Sequence, residues 1–250
     1  MPKLFDPQIV WEGIPALLPY LPITMEIVLV SAFFALVLGF AIALVKVRRV
    51  PVLQNLATLY VSYMRGTPLL VQLYIAFYGV PILLEYMNRS IGTHYSINSI
   101  SGMFFVIIAF SLNEAAYSSE TIRAALQAVD KGQVEAGYSI GLSTLQVFRY
   151  IILPESLKIA LPSLGNIFIG LLKGTSLAFV CAVVEMTAAS RLIAGRNLRF
   201  FEMYVSLSLI YWALSLISER IFAFLEKRLR KSDAVIRKNE KLAQAEAGKD

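Results

Sequence analysis

The sequence predicts an all-α polytopic membrane protein with five transmembrane helices, and three observations carry that reading. Of its 250 residues, 57% are hydrophobic and only 16% charged, whereas apolar residues reach roughly 45–50% of a soluble domain even with glycine counted. The apolar residues fall in five runs, each long enough to cross the roughly 30 Å hydrocarbon core of a bilayer. Between the third and fourth runs lies a polar island, residues 130–158, that reads as two short helices meeting at a turn.

Taken in order, residues 1–23 contain Pro2, Pro7, Pro15, Pro19 and Pro22 but only Lys3 as a basic residue. They lack the basic start and small-residue cleavage site of a signal peptide, and are expected to form an external N-terminal segment, in part an interfacial helix. The first span is placed at 24–45, about 33 Å of helix at 1.5 Å per residue, closed by Lys46, Arg48, Arg49 and then Pro51. The second, 56–80, contains Arg65-Gly66-Thr67-Pro68. Pro68 lacks an N–H and should bend or break that helix. After a polar connection over 81–100 comes a third span at 101–122, continuing as an amphipathic helix towards Val129. A fourth is expected at 161–189 and a fifth at 203–225. Residues 226–250 form a charged tail.

Charge orients these spans. With 46–52, 118–160 and the tail in the cytoplasm, fifteen Lys and Arg residues lie inside and five outside, in the sense of the positive-inside rule. The N-terminus is then outside, the C-terminus inside, and the island cytoplasmic. Arg191, Arg196 and Arg199 run against this bias. Cys181 is the only cysteine and His94 the only histidine, which excludes a disulfide framework, a Cys-rich or zinc site and a Ser-His-Asp centre. The net charge of +6 is spread in short segments beside apolar runs and forms no basic face of the kind that binds nucleic acid.

Within the island, Gly141 is expected to end one helix, Ser143 to cap a second and Pro154 to stop it. Glu135, Ala136 and Gly137 place one charge beside two small residues, a surface another protein can approach closely. Counting along the helices puts Arg65, Asn113, Glu114 and Lys173 near the membrane midplane, where ionisable groups cost at least about 2.5–3.5 kcal/mol each and face a protein interior or a wet cavity. One reading is a translocation pathway that holds the charged ends of an amino acid. The other is a structural ion pair between Glu114 and Arg65 or Lys173. Glu26 and Glu185 are assigned to interfacial solvation.

Glu135-Ala136-Gly137, Gly141, Ile151 and Leu153-Pro154 together resemble the EAA loop of bacterial ABC importer permeases, with Gly137 where alanine is usual. R-G-T-P-L-L-V-Q-L at 65–73, S-L-N-E-A-A-Y-S-S-E-T-I-R-A-A at 111–125 and L-P-S-L-G-N-I-F-I-G-L-L-K-G-T-S-L-A at 161–178 extend the resemblance over about 24–230. They point to the polar amino-acid branch, which includes histidine, glutamine, arginine and cystine importers, and the wording is closest to L-cystine permeases. Relatives commonly carry Asp after the intramembrane lysine, where this chain has Gly174.

The resemblance implies a type I importer in the bacterial inner membrane. Two permease subunits, identical or not, form the pathway, an extracytoplasmic solute-binding protein delivers the amino acid, and two ATPase subunits carry ATP and Mg. This chain would be non-catalytic and hold no cofactor, in keeping with its lack of a phosphate-binding G-x-x-x-x-G-K-[ST]. Substrate contacts are implied at Arg65, Asn113, Glu114, Tyr117, Lys173, Thr175 and Ser176. ATPase coupling is implied at Glu135, Ala136, Gly137, Gly141, Leu153 and Pro154. An ion-coupled transporter or channel, or a membrane scaffold that uses the island for interaction, remains the alternative on residues alone.

Overall fold

The structure, a computed structural model, describes residues 5–94 and 100–247, with side chains through residue 229. Among the described residues there is no strand, and five helical stretches are long and apolar enough to cross a membrane: Pro7–Val47, Leu69–Ile91, Gly102–Gln127, Thr144–Cys181 and Phe200–Leu229.

The first stretch is built from α1 (Pro7–Leu17), a single 3-10 turn (Leu18–Tyr20) and α2 (Leu21–Val47). Asp6 starts it, its carboxylate accepting from the Gln8 N–H (3.1 Å), and Pro7 occupies the first turn, where a missing N–H costs nothing. Residues read as a lead-in thus contain a helix, and α1 lies against the last helix, α11 (Phe200–Ala247). A Cβ on Gly13 would stand 2.4 Å from Ser206 Oγ, and that hydroxyl donates to the Val10 carbonyl (2.8 Å). The glycine lets two backbones meet.

The densest contact is between α2 and α6 (Gly102–Gln127). Ser31, Ala35, Gly39 and Ala43 recur every fourth residue, so they share one face, and all are buried. Facing them, α6 presents Ala115, Ser118 and Ser119, so close that a Cβ on Gly39 would come within 3.2 Å of the Ala115 carbonyl. Inside lipid, apolar surface gives helices no reason to prefer each other over acyl chains. Small residues that admit close backbone contact supply the attraction. At the C-terminal end of α2 the same pair is clamped by charge: Lys46 pairs with Glu120, and Arg123 donates twice to the other Glu120 oxygen (2.9 and 2.8 Å).

Around this pair the core gathers Ile27 and Val28 from α2, Phe105, Val106 and Phe110 from α6, Leu73, and Leu171 and Leu172 from α9 (Leu153–Gly174). Gly102 opens α6 directly under the Cys181 carbonyl, which a Cβ would approach to 1.9 Å. Further on, α9 meets α11 where Gly165 lies against the Phe222 ring. At the turn after α2, Val52 has φ 65° and ψ −54°, with the Leu53 N–H reaching the Pro51 carbonyl (2.7 Å). This is a γ-turn of the rare, strained hand.

Candidate functional site

The sequence Arg65-Gly66-Thr67-Pro68, expected inside the second span, lies just before Leu69–Ile91, the stretch that is long and apolar enough to cross. Helix α3 (Leu53–Gly66) ends there, Thr67 is extended (φ −119°, ψ 143°) as the residue before a proline should be, and α4 (Leu69–Tyr74) restarts the helix. A π-turn (Ile75–Gly79) then joins α4 to α5 (Val80–Ile91). The interruption frees carbonyls that lipid cannot satisfy. Gln72 closes them: its buried amide donates to the carbonyls of Met64 (3.0 Å) and Thr67 (3.1 Å) and to Thr67 Oγ1 (2.8 Å). Asn113 on α6 donates to the Gln72 oxygen (3.0 Å) and to Met64 (3.2 Å), which pins the interruption to α6. Beside it, Tyr63, Gln72, Ala76, Val80, Ile108 and Leu112 line an apolar cavity of about 410 Å3.

One turn from Asn113, Tyr117 is exposed and carries the Arg65 guanidinium over its ring, 5.4 Å from the centroid. Arg65 is exposed and Glu114 half-buried. Among the described residues no ion pair joins Glu114 to Arg65 or to Lys173. The fold therefore brings Arg65, Asn113 and Tyr117 together, and the stacked ring takes the place expected of a carboxylate partner.

Lys173 is exposed at the end of α9, where the helix tightens into a 3-10 segment (Thr175–Cys181). Ser176 donates to the Lys173 carbonyl (2.9 Å) and Thr175 to that of Leu172 (2.7 Å), so both hydroxyls finish the helix end. Ser176 keeps partial exposure, whereas Thr175 is fully buried. Gly174 has a local reason. A Cβ there would meet the Phe110 ring at 3.2 Å, so a side chain such as Asp would have to displace it.

A second interruption follows. Ala182 is left-handed (φ 59°), and α10 (Met186–Asn197) begins under Glu185, whose carboxylate accepts from the N–H groups of Thr187 (2.8 Å) and Ala188 (2.9 Å). Tyr211 of α11 donates to the same carboxylate (3.3 Å) and hydrogen-bonds with Thr175 (3.1 Å). Glu185 is fully buried. Interfacial solvation is thus the wrong account of this residue: backbone N–H groups and a phenol hold it where water does not reach.

The polar island folds as an elbow. Asp130 caps α7 (Lys131–Ser139) by accepting from the Gln133 N–H (3.1 Å), Gly141 turns the chain at φ 84°, and Ser143 opens α8 (Thr144–Val147) in a reciprocal capping box with Gln146. Pro154 does not stop the helix that follows. A π-turn (Phe148–Ile152) carries α8 into α9, and Pro154 sits in the first turn of α9, where the wider turn accommodates the bond its ring nitrogen cannot make. Gly137 is buried: a Cβ would stand 2.5 Å from Ile151 Cδ1 and 3.3 Å from Val147, so glycine at this position brings α7 down onto the π-turn. Glu135, Ala136, Leu153 and Pro154 remain exposed.

Three residues in these arrangements were assigned no role from the sequence: Gln72, Glu120 and Tyr211. Gln72 stood four residues after Pro68, the spacing at which a side chain reaches back over a broken turn. Glu120, three residues before Arg123 at the end of an apolar run, carried the signature of a helical ion pair. Nothing local marked Tyr211.

Residues 35–231 match the family described as "Binding-protein-dependent transport system inner membrane component". Among curated proteins, the chain is 39% identical over 94% of its length to the L-cystine transport system permease protein TcyL of Bacillus subtilis (strain 168), covering 96% of that protein. It is 40% identical over 91% of its length to the probable amino-acid ABC transporter permease protein PatM of Vibrio harveyi, covering 98% of it. A solved amino acid ABC transporter crystallised with histidines superposes with a TM-score of 0.76 at 30% identity, over 90% of this chain and all of that one. The MetNI methionine transporter, at 17% identity and a TM-score of 0.66 over 86% of this chain and 96% of that one, shares the fold. On this evidence the chain belongs to the binding-protein-dependent inner membrane component family, and is a multi-pass, non-catalytic permease subunit of an amino-acid ABC importer with the type I fold.

Proposed function

We propose that this permease carries a dipolar amino acid, L-cystine in the first instance, past the exposed face that holds Arg65, Tyr117, Lys173 and Ser176. One observation carries the reading: Arg65 is exposed just before the stretch Leu69–Ile91 and Lys173 is exposed within Thr144–Cys181, and neither forms an ion pair with Glu114 among the described residues. Charges so placed call for a partner. A substrate carboxylate supplies one for Arg65 or Lys173, and Glu114 is available to a substrate ammonium. Asn113 and Thr175 act behind this face, holding the two interruptions in shape. L-cystine is favoured by the name of the relative TcyL.

In this reading the N-terminus is outside and the C-terminus cytoplasmic. A solute-binding protein delivers the amino acid, a second permease subunit completes the pathway, and two ATPase subunits, which hold ATP and Mg, seat on the elbow at Glu135, Ala136, Gly141, Leu153 and Pro154. Gly137 shapes the elbow from beneath.

The test is uptake by the reconstituted importer, with a panel of unlabelled amino acids competing against labelled L-cystine. Cystine should compete best, and Arg65→Gln and Lys173→Gln should each lower uptake about tenfold or more, as expected for loss of a desolvated charge contact. Unchanged uptake in both variants would remove the pathway assignment. Stronger competition by another amino acid would replace the substrate alone.

A further inference from the structure

Lys173 stands exposed at the end of α9 and, among the described residues, forms no ion pair that would fix its direction. Its heading is set by the residues that flank it, Leu172 and Thr175, both buried. Gly174, between Lys173 and Thr175, adds no side chain to hold the turn. Thr175 is tied in two directions. Its hydroxyl donates to the Leu172 carbonyl (2.7 Å), which leaves its oxygen to accept from the Tyr211 hydroxyl on α11 (3.1 Å). The same phenol oxygen lies 3.3 Å from Glu185 Oε2 and 3.4 Å from Thr187 Oγ1 at the start of α10. One hydroxyl thus bridges the stretch 182–185, where the chain leaves helix, and its single proton is shared between Thr175 and the Glu185 carboxylate. The ring beneath is held independently. It packs against both apolar cores, the one around Phe110 and Leu172 and the one around Leu17 and Met186, so losing the hydroxyl alone leaves that packing in place.

We propose that Tyr211 is a positioning residue for transport: by holding Thr175 to the start of α10, its hydroxyl fixes the turn that presents Lys173 to a substrate carboxylate. This rests on the role proposed above for Lys173. Tyr211 does not meet the amino acid itself, because its hydroxyl is taken up by Thr175, Thr187 and Glu185. The ammonium of a lysine rides on a flexible four-carbon stem, so it gains from a fixed root. Every further direction open to the turn would be freedom lost again on contact with the substrate. The elbow lies at the opposite end of α9, about 30 Å away at 1.5 Å per residue, so the hydroxyl acts on the pathway and not on the ATPase contact.

The experiment reconstitutes the complete importer with its binding protein in liposomes. It measures uptake of labelled L-cystine, or of the amino acid that competes best against it, together with ATP hydrolysis. Tyr211→Phe should lower uptake about fivefold, the equivalent of one hydrogen bond, while hydrolysis stays at the wild-type rate. Thr175→Val should do the same, and Thr175→Ser, which keeps a hydroxyl, should restore most of the uptake. A double-mutant cycle decides between positioning and mere support: with Lys173→Gln already in place, Tyr211→Phe should lower uptake no further, since the ammonium it positions is gone. An equal fold-loss in both backgrounds overturns the proposal and makes the phenol a stabilising contact alone. Wild-type uptake by Tyr211→Phe overturns it too, as does a parallel fall in hydrolysis, which would place the effect at the elbow. If Lys173→Gln itself transports normally, the pathway assignment fails and this proposal with it. If Lys173→Gln loses uptake and Tyr211→Phe does not, this proposal fails alone.

Discussion

The two interruptions of the membrane helices are sealed with opposite chemistry. At residues 66–68 the exposed groups are carbonyls at the end of α3, and neutral amides, Gln72 and Asn113, donate to them. At residues 182–185 the exposed groups are N–H groups at the start of α10, and a carboxylate, Glu185, accepts from them. The polarity of a helix end decides this: C-terminal ends lack donors and N-terminal ends lack acceptors. The buried carboxylate of Glu185 takes the place of the acceptor that the end requires. The comparison also separates support from contact. Both seals are buried, while Arg65, beside the first interruption, and Lys173, at the end of α9, are exposed.

If that account holds, exchanging the two chemistries should do most damage. Asn113→Asp places an acceptor where donors are needed and should destabilise by about 4 kcal/mol, combining a lost donor with a charge or proton forced on a buried carboxyl. Thermal unfolding in detergent would read the loss, and a milder effect than Asn113→Ala would break the comparison. Glu185→Ala comes next at about 3 kcal/mol, because two N–H groups and the Tyr211 hydroxyl lose one acceptor, with Glu185→Gln recovering about half by keeping an amide oxygen. Asn113→Ala should cost about 1–2 kcal/mol, the range for hydrogen bonds between membrane helices. Tyr211→Phe should cost about 1 kcal/mol, since the two backbone donors still cap Glu185. At the elbow, Glu135→Lys should leave unfolding within about 0.5 kcal/mol, as an exposed substitution does, yet abolish ATP-driven uptake. Normal uptake by that variant would detach the elbow from the ATPase.

Much of the fold is legible because lipid leaves few alternatives. A run of apolar residues in a bilayer must be helical to satisfy its own backbone, and the described residues contain five helical stretches long and apolar enough to cross, the second at Leu69–Ile91 and the fourth at Thr144–Cys181. The effect of Pro68 was equally readable, since its missing N–H acts within one turn. Pro154 was not. The same missing donor is absorbed by a π-turn against which α7 lies at Ile151, a contact between segments that no window of sequence reports. Glu185 was misplaced for a related reason: position along a helix suggested an interface, but Thr187, Ala188 and Tyr211 define an interior, and Tyr211 is on another helix. Arg65 and Lys173 stood out as charges at depth. That Arg65 rests on Tyr117 and not on a carboxylate followed from the rotation of α3 against α6, which composition does not encode. At Gly137 helix propensity alone suggests weakening, whereas the structure shows the glycine lets α7 and the π-turn touch.

The small-residue face of α2 also has a consequence for biogenesis. Gly39, on the face shared by Ser31, Ala35 and Ala43, packs against α6, which ends at residue 127, whereas α2 ends at residue 47. At the roughly 5–20 residues per second of synthesis, the first helix waits about 4–16 s in the bilayer before its mate is complete. Throughout that interval its notched face is open to any other helix that offers small residues, including a nascent copy of itself. The Lys46–Glu120 pair cannot form until α6 is in place, so a neighbour that fills the notch without a carboxylate at that depth leaves Lys46 unmatched.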